Sequence, residues 1–336
     1  MAEAELIGFP TSAPGATVSA MQTRWAAILA LLWLATTACR AGERGSVADV
    51  PATAGSNAPS APASSKAPPA GASSDAQAAA TREGETRLPF DYPTVELKAK
   101  TGDVILAPPR QWIENAIEHG VNEQPFAFFR AELVEVGRGS SLVRTPSGRQ
   151  EEIPNALLIP IRRGERVKPG QIVLTSWYSG TGLQRAMTVE GGSPESPQVH
   201  YLDLKYKHPS GIGRDTERLP PNTFHRLLVP GEAGTSVACR DGQRHRHYVV
   251  VHVAGNQMIG LGFAGRLTVL DRSSCILLPI APHIDDTPLF VPVMGIFQKA
   301  RVRHYEEKLG RVFVRYSANG EDQDDVLGIV NVARKL

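Results

Sequence analysis

Short apolar segments separated by turns fill the chain from residue 97 onwards. A stretch at residues 102–108 opens with Gly102 and Asp103, continues through four apolar residues, and ends at Pro108. Similar stretches return at residues 170–175, 234–239 and 288–292. Each is followed by a longer strand pattern, a turn, a further strand pattern and a closing apolar run. We therefore predict an all-β protein built from four repeats.

The alternation of polar and apolar residues is clearest in the fourth repeat. Val312 and Val314 point to one face of a strand while Phe313 and Arg315 point to the other, as a half-buried strand requires. Asn319 and Gly320 then form a hairpin signal, because type I′ turns need positive φ at both central residues. The predicted strands are residues 102–108, 128–136, 141–145, 153–161, 170–175, 184–189, 200–204, 224–230, 234–239, 247–253, 274–280, 288–292, 298–303, 310–316 and 326–332.

The repeats divide the folded part into units at residues 91–163, 164–230, 231–283 and 284–336. Units of about 50 to 65 residues are near the lower limit at which a core is stable alone. We therefore expect neighbouring units to pack against one another.

The strand count, unit size and order of elements resemble Tudor and agenet-type modules of the SH3-like barrel class. This resemblance covers roughly residues 97–336 and implies tandem small barrels, with far less implied about function. The alternative is one larger antiparallel β-sandwich with accidental similarity. Tudor-like modules bind methylated or cationic side chains in cages of aromatic rings.

Aromatic residues make up only 6% of the chain, which limits such cages to one at most. The best candidates for ligand binding are Trp177 and Tyr178, after the opening strand of the second unit, with Tyr201 and Tyr206 near its later strand. The two tyrosines at 201 and 206 have opposite strand parity, so at most one need face the same pocket. Packing between units is the alternative role for these rings.

Residues 109–120 interrupt the strand pattern of the first unit. Trp112, Ile113, Ala116 and Ile117 fall on one helical face, and Pro and Gly stand at the two ends. We predict a short helix that packs on its own unit. A docking helix for a partner is the alternative.

The N-terminal part has the composition of an export signal. Arg24 precedes an apolar run at residues 26–35, which is shorter than the roughly 20 residues a membrane span needs. Small residues then lead to Cys39, and this resembles the lipobox of bacterial lipoproteins. The resemblance implies a signal peptide at residues 21–38 and a lipid on Cys39, with export to the cell envelope. Ordinary secretion with a spacer cysteine is the alternative.

Residues 1–20 contain no basic residue and precede the charged segment, so we expect translation to start at Met21. Between residues 51 and 80, 25 of 30 residues are Ala, Ser, Pro or Gly. Such a segment cannot bury enough apolar surface to offset its conformational entropy. We predict a disordered tether over residues 39–90.

Two cysteines lie in the third unit, Cys239 at the end of its opening strand and Cys275 in its closing strand. The resemblance to SH3-like barrels places the first and last strands close together, and an exported protein meets oxidising conditions. A disulfide between them is one prediction, and two buried free thiols are the alternative.

Other side-chain patterns give weaker indications. His245, His247 and His252 lie near one another along the third unit, but a basic strand explains them better than zinc. We predict no metal site and no cofactor. The sequence contains no nucleophile elbow, Walker loop, HExxH or dinucleotide turn, and we predict no catalytic residues.

The formal charge of +2 arises from 36 basic and 34 acidic residues, so no strong sequence-independent attraction for nucleic acid follows. We therefore expect a non-catalytic binding or scaffolding lipoprotein whose partners are proteins, peptides or cell-wall polymer. An enzyme with a site between units is the main alternative, and nucleic-acid binding would require a face that concentrates Arg and Lys.

Overall fold

The computed structural model describes residues 87–177, 182–204, 216–318 and 320–336. Nineteen β-strands and one α-helix lie within these ranges, and the predicted all-β fold is confirmed. The predicted extension at residues 1–20, the signal segment at 21–38, Cys39 and residues 39–86 of the tether lie outside the described residues.

Two five-stranded antiparallel sheets contain the strands of the first two units. The first set is β1 (Val104–Ala107), β2 (Phe129–Glu135), β3 (Ser140–Arg144), β4 (Gln150–Pro154) and β5 (Ile159–Pro160), in the order β4-β3-β2-β1-β5. The second set is β6 (Ile172–Thr175), β7 (Gln184–Ser193), β8 (Ser196–Tyr201), β9 (Thr216–Arg218) and β10 (Phe224–Arg226), in the order β10-β6-β7-β8-β9.

The remaining strands form one nine-stranded sheet. The third set is β11 (Ser236–Asp241), β12 (Arg244–Ala254), β13 (Gln257–Leu261), β14 (Leu267–Asp271) and β15 (Cys275–Leu277). The fourth set is β16 (Leu289–Val293), β17 (Ile296–Glu306), β18 (Arg311–Ala318) and β19 (Glu321–Gly328). A single pair, Arg246 with Ile296, joins the two sets through β12 and β17.

One strand order recurs in all four sets. The first strand of each set pairs with the second and also with the last segment of that set, while the third and fourth strands follow outward from the second. In the fourth set the last segment is reduced to a bridge between Phe290 and Ala333. No sheet closes into a barrel within the residues described.

The predicted closing strands at residues 153–161 and 326–332 were wrong as single strands. Each is broken by a 3₁₀ turn, at Asn155–Leu157 and Ile329–Asn331. The reason in the first set is Asn155, whose buried side chain accepts from Ser141 Oγ and donates to three backbone carbonyls. The single Asn within this apolar run therefore marks the start of a turn.

Three further strands were missed, β9, β13 and β14. The hairpin between β12 and β13 pairs Ala254 with Gln257, so Gly255 and Asn256 form its two-residue turn. Gly255 has φ 58°, a conformation that glycine adopts without steric cost. The turn dipeptide was the available signal for this hairpin.

The predicted helix is confirmed as α1 (Arg110–His119), with Pro109 before it and Gly120 after it. Ile113 and Ala116 are buried against the first set. Ile117, predicted on the same face, is 48% exposed at the margin of the contact.

Neighbouring sets share one apolar core. A continuous cluster of buried side chains includes residues from all four sets, such as Leu106, Leu174, Ile259 and Val312. A smaller cluster fills the second set alone and includes Tyr201 and Phe224. Among the described residues no helix has the length and apolar character needed to cross a membrane.

Candidate functional site

The structure describes two of the four aromatic residues predicted to form a ligand cage, Trp177 and Tyr201. Tyr201 is fully buried in the second set, where its hydroxyl contacts Glu217 and donates to the Ser176 carbonyl at 3.2 Å. Trp177 is half-buried against the same cluster. Tyr178 and Tyr206 lie outside the described residues. Because the Tyr201 ring is enclosed in the core, it does not form an exposed cage wall.

The histidines of β12 do not form an evenly exposed basic strand. Arg244 and Arg246 are exposed, but His247 turns inward and its ring packs edge-on against Phe297 at 5.7 Å between centroids. His252 Nδ1 lies 3.1 Å from the Tyr92 hydroxyl. No group of three metal-ligating side chains is present in the described ranges.

His247 belongs to a polar group of buried and half-buried side chains that joins three strand sets. We name it the junction cluster, and its members are Arg185, Asp203, Ser236, His247 and Asn331. The Arg185 guanidinium donates to both carboxylate oxygens of Asp203, at 2.9 and 2.5 Å. It also donates to Ser236 Oγ at 2.5 Å and to Asn331 Oδ1 at 2.6 Å. Since Arg185 is 1% exposed, these bonds tie the second set to the third and fourth.

The charges of the junction cluster set its protonation states. Burial alone would raise the pKa of Asp203, but the charge and hydrogen bonds of Arg185 hold that pKa below its usual range. Burial, followed by the charge of Arg185, lowers the pKa of His247 to about 3, although Asp203 acts in the opposite direction. Asp203 is therefore ionised and His247 neutral at pH 7.

The neutral His247 lies 3.0 Å from Ser236 Oγ, which invites a comparison with a nucleophile and its base. Ser236 accepts from Arg185, so its own proton goes to the unprotonated Nε2 of His247. The serine is 4% exposed and is held between two strands. This geometry favours a structural role for the pair.

A second buried arginine links the second and fourth sets. Arg311 Nε donates to His200 Nε2 at 2.9 Å, and its terminal nitrogens donate to the carbonyls of Leu202 and Leu204, both at 3.1 Å, and to that of Tyr201. Burial, with the charge of Arg311, lowers the pKa of His200 to about 4. The imidazole is therefore a neutral acceptor at pH 7.

Cys239 and Cys275 form a disulfide in the structure. They lie opposite each other on the paired strands β11 and β15. The bond encloses the other three strands of the third set, because it spans a sequence separation of 36 residues. It thereby fixes the scaffold that carries the surface cleft described next.

An open cleft of about 450 Å³ lies on the outer side of the third set. We name it the Phe263 cleft, and it is lined by Asn122, Arg246, His247, Tyr248, Gly262, Phe263, Ala264, Arg266, Thr268 and Gly295. Its lining therefore comes from the first, third and fourth sets. Phe263 is 56% exposed, and the neighbouring turn residue Met294 is 73% exposed.

Positive φ angles occur beside both apolar side chains. Ala264 has φ 56°, and Met294 has φ 49° in the two-residue turn between Val293 and Ile296; residues with side chains adopt such values rarely. A Cβ built on Gly295 would lie 2.6 Å from the Phe263 Cβ, so only glycine permits this approach. Such conformations persist only where the surroundings enforce them, and they cluster at functional sites.

Tyr248 forms another wall of the Phe263 cleft and is seated over glycines of the next strand. A Cβ built on Gly260 or Gly262 would lie within 3.0 Å of Tyr248 atoms. Burial raises the pKa of Tyr248 above its usual value, so the hydroxyl remains a hydrogen-bond donor. The half-buried Tyr248 ring therefore packs closely on the backbone at Gly260 and Gly262.

The charged groups of the Phe263 cleft are arginines. Arg246 pairs with Asp241 at 2.5 Å at the rim. Arg266 makes no ion pair with any residue that the structure describes. Apolar surface beside a guanidinium suits a ligand that carries both an apolar group and a carboxylate.

Sequence reasoning missed this cleft. The glycines at 260, 262 and 265 were its local signal, since Gly within a strand often marks close approach of another group. The positions of Met294 and Asn122 depend on packing between sets and have no local signal. Comparisons with models of known protein families and with curated proteins find no match to the chain.

Proposed function

We propose that this is a non-catalytic binding or scaffolding lipoprotein of the bacterial envelope, tethered through a lipid on Cys39 and presenting four SH3-like units. The repeated strand order supports the SH3-like assignment. A 3₁₀ turn before the last segment of the first, third and fourth sets supports it further. In this proposal the units pack as one body, and their surface loops bind the partner.

The observation that carries the binding role is the pair of exposed apolar side chains at the Phe263 cleft. Phe263 and Met294 remain in water at a hydrophobic cost, and the positive φ angles of Ala264 and Met294 add conformational strain. A partner that covers them would recover the hydrophobic term. The partner we propose is a protein or peptide with an apolar side chain next to a carboxylate that reaches Arg266.

The experiment is a pull-down from envelope extract with the full mature protein and two matched variants. Phe263→Ala/Met294→Ala removes the exposed pair at the cleft. Leu228→Ala/Val229→Ala removes two similarly exposed apolar side chains elsewhere, at 51% and 61% exposure. We expect the first variant to lose at least tenfold of a bound partner and the second to keep it.

Prior digestion of the extract with protease or with a glycan-degrading enzyme separates a protein partner from cell-wall polymer. Loss of capture after protease treatment is the expected result. Equal capture by wild type and by the Phe263→Ala/Met294→Ala variant would contradict the cleft as the binding site.

The anchor has a separate test, mass spectrometry of the mature N-terminus. We expect a lipid-modified Cys39 as the first residue. A peptide that spans Ala38 and Cys39, or an unmodified Cys39, would contradict lipid anchoring while leaving the cleft proposal intact.

A further inference from the structure

The outer side of β17 carries three cations that form no ion pair with a described carboxylate. Lys299, Arg301 and Arg303 are exposed, and none of them makes an ion pair with a described residue. Alternate residues of a strand lie about 7 Å apart. All three side chains line one hollow of about 480 Å³, so they form a row, which we name the cationic row.

A fourth cation completes the hollow from the neighbouring strand. Arg315 on β18 lies directly opposite Arg301 in the strand register and lines the same hollow. Like charges in directly opposed positions destabilise a sheet. Arg315 is compensated by two hydrogen bonds to Asp324, at 2.7 and 2.6 Å, but Arg301 is not. Ser317 adds a hydroxyl to the lining.

The acidic side chains of β19 restrict the shape of an anion that fits this surface. Asp322 lines the same hollow as the cationic row, and Asp324 pairs with Arg315. The lining of the hollow therefore contains four cations and one carboxylate. A broad anionic surface would also meet the acids of β19, whereas a thin chain lying along β17 would contact mainly the cations.

We propose that the cationic row binds a linear polymer that carries phosphate groups. Arginine forks match phosphate oxygens with paired hydrogen bonds, and a row of cations matches a chain of repeated charges. The overall charge of +2 conceals this local concentration. The proposal is independent of the Phe263 cleft, since the row lies on the fourth set and shares no lining residue with it.

The test is a titration of the full mature protein into end-labelled inorganic polyphosphate, followed by fluorescence anisotropy. Lys299→Gln/Arg301→Gln/Arg303→Gln removes the row. Lys98→Gln/Lys100→Gln/Arg138→Gln removes three exposed cations elsewhere and is the matched control. At about 50 mM salt we expect at least a tenfold loss of affinity for the first variant and less than a twofold change for the second.

Salt dependence gives a second readout. Three phosphate contacts predict a slope of about −2 for the logarithm of affinity against the logarithm of salt concentration, and the row variant should have a slope near zero. If the triple variant is poorly folded, Arg301→Gln alone should reduce the slope by about 0.7.

Two comparison ligands decide the kind of anion. An oligothymidylate of equal charge that binds more tightly than polyphosphate would identify nucleic acid as the phosphate source, and weaker binding would identify another phosphate polymer. Tighter binding to anionic phospholipid vesicles than to polyphosphate would overturn the proposal. So would an absence of binding, or equal losses in the row variant and its control.

Discussion

Arg311 and Arg315 lie on the same strand, four residues apart, and have opposite environments. Arg311 is 1% exposed and is enclosed by the second set, where carbonyls and His200 accept its hydrogen bonds. Arg315 lies on the outer surface beside the cationic row and pairs with Asp324. Strand alternation predicts both on one face, but only the packing of another set over Arg311 decides which one is structural.

The contrast extends to the surroundings of each arginine. Arg185 of the junction cluster and Arg311 are both buried. Each of their guanidinium nitrogens named above has a hydrogen-bond acceptor. The outer side leaves Lys299, Arg301 and Arg303 without ion pairs among the described residues. We infer that the first region holds the sets together and that the second is available to a ligand.

The largest expected effect is at the junction cluster. Arg185→Met leaves the Asp203 carboxylate partly buried without its partner, and we expect a loss of about 3 to 5 kcal/mol in the free energy of unfolding. Urea denaturation followed by tryptophan fluorescence measures it. If the Met variant does not fold, Arg185→Lys keeps the charge and should show a smaller loss. An unchanged midpoint in both would mean that the junction cluster does not join the sets.

Removal of the disulfide should give the next largest loss of stability. Neither cysteine belongs to the junction cluster or to the cationic row. For Cys239→Ala/Cys275→Ala we expect a loss of roughly 3 to 4 kcal/mol from the chain-entropy model. Polyphosphate affinity should be unchanged in the folded protein. Thiol counting on denatured wild type, with and without reductant, is the check, and two free thiols besides Cys39 would exclude the bond.

Acidification should lower the free energy of unfolding through the buried histidines. The folded pKa values of His200 and His225 are lowered to about 4 and that of His247 to about 3, while unfolded histidine titrates near 6.5. The unfolded state therefore binds more protons below pH 6.5. The contribution of these histidines to stability is fully present above that pH and is lost on acidification. Between pH 7 and 5 we expect a loss of about 1 to 2 kcal/mol for each histidine.

His247→Gln isolates one of these contributions. Glutamine keeps an acceptor for Ser236 but does not titrate. Because burial also lowers the pKa of His252, the slope of stability against pH should decrease by roughly a quarter to a third. Equal slopes in the variant and the wild type would contradict the burial of His247 as the cause.

The smallest expected effect is at the surface pair. Arg315→Met removes an ion pair that is open to water, and such pairs contribute little to stability. We expect no measurable shift of the urea midpoint. A large shift would place Arg315 with the structural arginines and remove the contrast with Arg311.

The sequence was sufficient for features that depend on local pattern. The all-β class, the helix at Arg110–His119 and the opposite faces of Val312 and Phe313 followed from alternation and turn residues. The break at Asn155 and the inward turn of His247 did not, because Asn155 bonds to Val95 and His247 packs against Phe297, both at least 50 residues away in sequence.

Surface sites were the least predictable part. The Phe263 cleft requires residues from three sets, and the cationic row requires that β17 remain uncovered. Neither condition is visible in a local pattern. Of the four aromatic residues proposed from sequence, Tyr201 belongs to the core, and its burial follows from the apolar neighbours that pack around it.

The most direct test of the contrast is the polyphosphate affinity of Arg311→Met, measured beside that of the Lys299→Gln/Arg301→Gln/Arg303→Gln variant under conditions in which both are folded. We predict that Arg311→Met is less stable than wild type but binds polyphosphate with wild-type affinity, whereas the row variant keeps its stability and loses at least tenfold in affinity. Loss of affinity in Arg311→Met, or loss of stability without loss of affinity in the row variant, would contradict the division of roles.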